Sequence, residues 1–80
     1  MFYVITEQFF KKRGTTPAEY LGVSRPYWCE LKKGKRTKLT INHLLKLACA
    51  VDMVLDLTEN LEVLKQQLAK RMLESYYEGL

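Results

Sequence analysis

Proline and glycine are scarce in this chain, with two and four residues among 80. No stretch alternates Val, Ile and Thr over the length of a strand, so helix is the expected element. Cysteine is also sparse. Cys29 and Cys49 make no disulfide framework, and with no secretion signal ahead of them they are expected as reduced thiols in a cytoplasmic protein. Together with His43 they are separated by thirteen and five intervening residues, which fits no zinc pattern, so neither metal nor cofactor is expected. Long hydrophobic runs are missing too. The opening MFYVITEQFF is apolar but short and interrupted by Glu7, which excludes a membrane span and a membrane partner. Paired carboxylates, a nucleophile beside a base and a Gly-rich phosphate loop are all lacking, so no enzymatic machinery is visible.

What is present is a core-forming composition with an uneven charge. The hydrophobic share is 48%, too high for a disordered chain, and 80 residues hold one small all-α domain. Residues 1–40 carry nine Lys and Arg against Glu7, Glu19 and Glu30, a balance of +6; residues 41–80 balance at −2. One half of the protein is therefore polarised toward an anionic partner.

Five helices are expected. Residues 1–5 read as a short strand or a disordered start, followed by a helix from Thr6 to about Arg13 that Gly14 ends. Thr16-Pro17-Ala18-Glu19 has the cap, first-position proline and acceptor of a helix start, and Gly22 breaks that helix after little more than one turn. Ser24 caps a third helix to about Lys33, stopped by Gly34. Thr40 caps a fourth, whose apolar stripe is Ile41, Leu44, Leu45, Ala48 and Val51. Asp56 or Thr58 opens the last helix, which runs toward Tyr77.

The informative stretch is Leu21-Gly22-Val23-Ser24-Arg25-Pro26-Tyr27-Trp28-Cys29-Glu30-Leu31. A glycine able to take positive φ, an apolar plug and a capping serine form the turn of a helix-turn-helix. In the second helix Trp28 and Leu31 face the core, which turns Arg25, Pro26, Tyr27, Cys29, Glu30 and Lys33 outward. Arg and Tyr beside a serine hydroxyl suit a major groove. The cluster Lys32-Lys33-Gly34-Lys35-Arg36-Thr37-Lys38 follows where phosphates would flank that groove. His43 is expected to be exposed, and Trp28 to be core rather than a stacking platform.

From Leu21 to about Leu57 the sequence resembles the lambda repressor-like family of phage repressors and Cro proteins, the Xre-type regulators. The resemblance rests on Leu21-Gly22-Val23-Ser24-Arg25, Gly34-Lys35-Arg36, Leu39-Thr40-Ile41 and Leu44-Leu45-Lys46-Leu47-Ala48 followed by Ala50-Val51. It implies a compact five-helix domain whose third helix reads bases, bound as a homodimer to a palindromic operator in double-stranded DNA. Arg25, Pro26 and Glu30 match base-facing positions; Tyr27 and Ser24 lie at the groove edge, Tyr27 counted with the base readers and Ser24 with the backbone contacts. Lys33, Lys35 and Thr40 match backbone-holding positions, to which the basic cluster adds Arg36 and Lys38. The family carries an inward Ala about seven residues after a Gly, whereas Gly14 to Ala18 spans four, and Pro17 replaces its usual Gln. Glu30 either accepts from a cytosine amino group or pairs with Lys33.

The last helix carries a seam of Leu57, Leu61, Leu64, Leu68 and Met72 near a 3.5-residue period, widened by Val63, Leu73, Tyr76, Tyr77 and Leu80; Leu61, Leu64, Leu68, Met72 and Tyr76 are its candidate dimer residues. Its first two turns are expected to pack within the chain and the rest to form a two-fold interface. That divides the chain into a DNA-binding part, 1–57, and a dimerisation helix, 58–80. Two alternatives accompany this reading. One is an antitoxin whose final helix binds a toxin. The other is the excisionase and MerR-like group, which Thr16 to Pro26 also resembles but whose β-wing does not suit the helical pattern of Leu39 to Val51.

Overall fold

A computed structural model describes residues 1–35 and 39–78; Arg36, Thr37, Lys38 and Leu80, all invoked above, lie outside the described residues. Among the described residues the chain forms five helices and no strand: α1 (Phe2–Lys12), α2 (Pro17–Leu21), α3 (Arg25–Lys32), α4 (Ile41–Ala50) and α5 (Leu61–Glu78). The all-α, five-helix architecture is as expected.

Three of the helix starts are set by the residues that local chemistry singles out. Thr16, Ser24 and Thr40 have extended backbones, and their hydroxyl oxygens accept from the backbone N–H of Glu19, Tyr27 and His43 at 3.2, 3.1 and 3.3 Å. Each satisfies an amide that the helix itself leaves without a partner. The ends follow one pattern. After α2, the N–H of Gly22 donates to the Glu19 carbonyl and that of Val23 to the Ala18 carbonyl, a Schellman closure with Gly22 at φ 74°. Asp52 closes α4 in the same way at φ 53°, a conformation that a side chain normally opposes.

A Cβ added at Gly22 would meet nothing within 4 Å. Gly22→Ala therefore costs only the left-handed backbone penalty, about 1–2 kcal/mol. Urea unfolding followed by circular dichroism checks this, and a neutral substitution would contradict the turn described.

Two starts differ from expectation. Helix α1 begins at Phe2 rather than Thr6, because Phe2, Tyr3 and Ile5 pack on the core and draw residues 1–5 into the helix. Helix α5 begins at Leu61, with the Asn60 side-chain carbonyl accepting from Val63 N–H at 3.0 Å. Asp56 instead accepts from the Thr58 hydroxyl at 2.6 Å and its N–H at 3.0 Å, forming a local turn. Those bonds hold the Asp56 carboxyl below its ordinary pKa.

The core gathers Phe9, Phe10, Trp28, Leu44, Leu47, Leu64, Leu68 and Met72 with smaller neighbours. On α4 the stripe is turned from the expected one. Leu44, Leu47, Ala48 and Val51 are buried, whereas Ile41 and Leu45 are 38% and 36% exposed.

The largest correction concerns α5. Leu61 and Leu64 pack within the chain as expected, but Leu68 and Met72, proposed for the two-fold interface, also have no exposed surface and are spent within the chain, while Tyr76 is half-buried. The partner of α5 is α1, which runs beside it in the same direction. Lys65 lies over the Phe2 and Tyr3 rings, Thr6 Oγ1 is 3.5 Å from Met72 Sδ, and Lys12 Nζ donates to the Tyr76 carbonyl at 2.7 Å. Arg71 Nε ties α5 to the end of α4 through the Val51 carbonyl at 3.2 Å. As far as Glu78, α5 therefore helps complete the core of 1–57, and its buried leucines and Met72 face the chain's own helices.

Candidate nucleic-acid interface

Helix α3 is short, and its orientation follows from what it buries. Trp28 and Leu31 are 4% and 3% exposed. The indole stands edge-on to Tyr3 with ring centres 5.4 Å apart, and its N–H donates to Glu7 Oε2 at 3.1 Å. Lys32 Nζ pairs with the same carboxylate oxygen at 3.1 Å. One acidic side chain of α1 therefore holds α3 at two points, one turn apart. The sequence offered no sign of this link, since Glu7 lies 21 and 25 residues from its partners.

With its back fixed, α3 presents Ser24, Arg25, Pro26 and Cys29 outward, all exposed. Arg25 and Pro26 occupy the first two helical positions, where a missing proline N–H leaves no intrahelical bond unmade. Lys33 and Lys35 are exposed just past the helix end, as is Thr40 at the start of α4. Ser24 and Thr40 use their hydroxyl oxygens as helix caps, leaving each hydroxyl proton to donate outward.

Two of the expected base-facing residues are placed differently. Tyr27 is half-buried, packs on the core and meets His43 of α4 edge-on at 6.3 Å. Glu30 is also half-buried. The outward face is accordingly narrower than the sequence suggested and is centred on Arg25, Pro26 and Cys29. His43 is not the exposed group expected. It is half-buried, and its Nδ1 is enclosed with no hydrogen-bond partner among the described residues. Helix α4 is also tied to α2, through a bond of 2.8 Å that the Tyr20 hydroxyl donates to the Lys46 carbonyl. Burial raises the Tyr20 phenol above its ordinary pKa, and the Cys49 thiol adds to this.

Among the described residues, no cluster of three His, Cys, Asp or Glu side chains could hold a metal ion, and no helix is long and apolar enough to cross a membrane. The β-wing of the excisionase and MerR-like alternative has no counterpart among them either. Comparison of the chain with models of known protein families, with curated proteins and with solved structures found no match.

Proposed function

We propose that the protein is a sequence-specific double-stranded DNA-binding transcriptional regulator of the lambda repressor-like helix-turn-helix kind, acting as a homodimer on a palindromic operator. The observation that carries this reading is the pairing of α2 and α3. A left-handed Gly22 and a capping Ser24 join α2 to α3, which pack together, and α3 buries its Trp28 and Leu31 face while exposing Arg25, Pro26 and Cys29. A helix braced from behind with an arginine in its first turn suits a major groove, where a guanidinium can bond guanine O6 and N7 together. The +6 balance of residues 1–40 and the exposed Lys33 and Lys35 supply phosphate attraction by counterion release. The dimer in this reading does not use the buried seam of α5. Exposed apolar side chains on the outer side of the α1–α5 pair, Val4, Leu73 and Tyr77, are the surface left for a second copy.

Selection of bound duplexes from a random pool, with the mass of the complex measured in the same buffer, tests the reading. A palindromic consensus bound by two subunits is the expected result, and indifference to duplex DNA in dilute salt would overturn it. Two substitutions separate base reading from phosphate holding. Arg25→Ala weakens binding to the selected site by about 1–3 kcal/mol and leaves the fold unaltered. Lys35→Ala weakens all duplexes alike and lowers the slope of log affinity against log salt by roughly one unit. Fluorescence anisotropy titrations at several salt concentrations measure both.

A further inference from the structure

On the side of α3 that faces α1 and α2 the surface opens into a cleft of about 370 Å³. Trp28, Pro17 and Ala18 form its apolar floor, and the exposed Lys11 and Arg25 line it from α1 and α3. Among the described residues neither cation has an ion-pair or hydrogen-bond partner for its side chain. Glu7 also lines the cleft, but its carboxylate is taken up by the Trp28 indole and Lys32. The Thr16 hydroxyl, with its oxygen accepting from Glu19, keeps its proton for a ligand. The groups left to contact an occupant are thus an aromatic edge, apolar walls, two uncompensated cations, one hydroxyl donor and the exposed Cys29 thiol.

We propose that this cleft binds a small planar organic anion, an aromatic carboxylate of one or two rings. Its ring would lie against Trp28 and Pro17, and its carboxylate would be shared by Lys11 and Arg25. The volume sits at the small end of the range of roughly 300–1,000 Å³ for ligand sites, which limits the ring count. Carboxylate is the matching head group because a guanidinium binds it through two parallel hydrogen bonds and an ammonium adds a point charge. A neutral ring would bury the same apolar area and leave both cations uncompensated. This binding goes beyond DNA recognition. One consequence does rest on the DNA reading: Arg25 belongs to the cleft and to the outward face of α3, so a bound carboxylate withdraws it from the duplex.

The test uses the single tryptophan of the chain. In nitrogen-15 spectra of the whole protein the Trp28 indole N–H gives one resonance, and titration with 2-naphthoate is expected to shift it saturably with a midpoint below about 1 mM. Neutral 2-naphthamide is expected to bind about tenfold more weakly or worse, and the Lys11→Ala/Arg25→Ala double variant to lose naphthoate by at least about tenfold. The indole resonance of the free double variant should be unmoved, since neither side chain supports the fold. Absence of a saturable shift, equal binding of the acid and the amide, or an unaltered midpoint in the double variant would each overturn the proposal. Competition is read separately, as a naphthoate-dependent loss of duplex affinity, and retention of duplex with the cleft filled would refute that consequence alone. If the protein ignores duplex DNA altogether, the regulator reading fails while the naphthoate titration still decides the cleft.

Discussion

Trp28→Ala is expected to lower the free energy of unfolding by about 3–5 kcal/mol. The indole is buried between α1 and α3, edge-on to Tyr3, and its N–H donates to the half-buried Glu7 carboxylate. Truncation removes the apolar burial, leaves a cavity, and strips a half-buried carboxylate of one of its two partners. A small domain has total stability of only about 5–15 kcal/mol, so this variant stands near the edge of folding. Trp28→Phe separates the contributions, because it keeps most of the apolar area and loses the hydrogen bond, at a cost of about 1 kcal/mol. Urea titrations followed at 222 nm, which need no tryptophan signal, give both values. A Phe variant as damaged as the Ala variant would mean that the bond to Glu7, not the burial, holds α3 in place.

Leu68→Ala comes next, with an expected loss of about 2–5 kcal/mol. Leu68 has no exposed surface and sits between Leu64 and Met72 on the face of α5 that lies along α1. Because the contact is within one chain, the loss is the same at every protein concentration. The number of subunits, measured by sedimentation equilibrium, is unchanged from the parent protein. A residue of a subunit interface behaves otherwise: its truncation shifts the association equilibrium, so the loss itself depends on concentration. A concentration-dependent loss at Leu68 would return the seam to the surface and contradict the packing of α5.

The parts of the fold readable from the sequence are those set by neighbouring residues. Thr16, Ser24 and Thr40 were recognisable as caps because each precedes a helical pattern and its hydroxyl reaches an amide three residues on. The closures after α1, α2 and α3 were readable from their glycines. Asp52 was not, since its left-handed backbone is imposed by the chain closing α4 rather than favoured by the residue. Asn60 was hidden by Asp56 and Thr58, two residues with equal capping chemistry that bond to each other instead.

Longer-range features were ambiguous for a common reason. Phe2, Tyr3, Val4 and Ile5 have strand-like side chains, and only packing against the rest of the core makes them helical. Helix α4 is apolar on nearly every side, so its period alone could not choose Leu47 over Leu45 for the interior. On α5 the leucine period marked an apolar face correctly but not what covers it. A second chain and α1 make the same demand on spacing. In the candidate interface, Arg25 and Pro26 stand at the helix start as the pattern required, whereas Tyr27 turns toward His43 because α4 passes there.

The parallel pairing of α1 and α5 bears on how the molecule is made. Thr6 and Met72, in contact in the finished protein, are 66 positions apart in the sequence. A nascent chain emerging from the ribosome therefore cannot cover the face of α1 that packs on α5 until that helix has been made. Closing so wide a loop is entropically slow relative to local helix formation, so the interval before α5 arrives is when the young polypeptide most needs a chaperone.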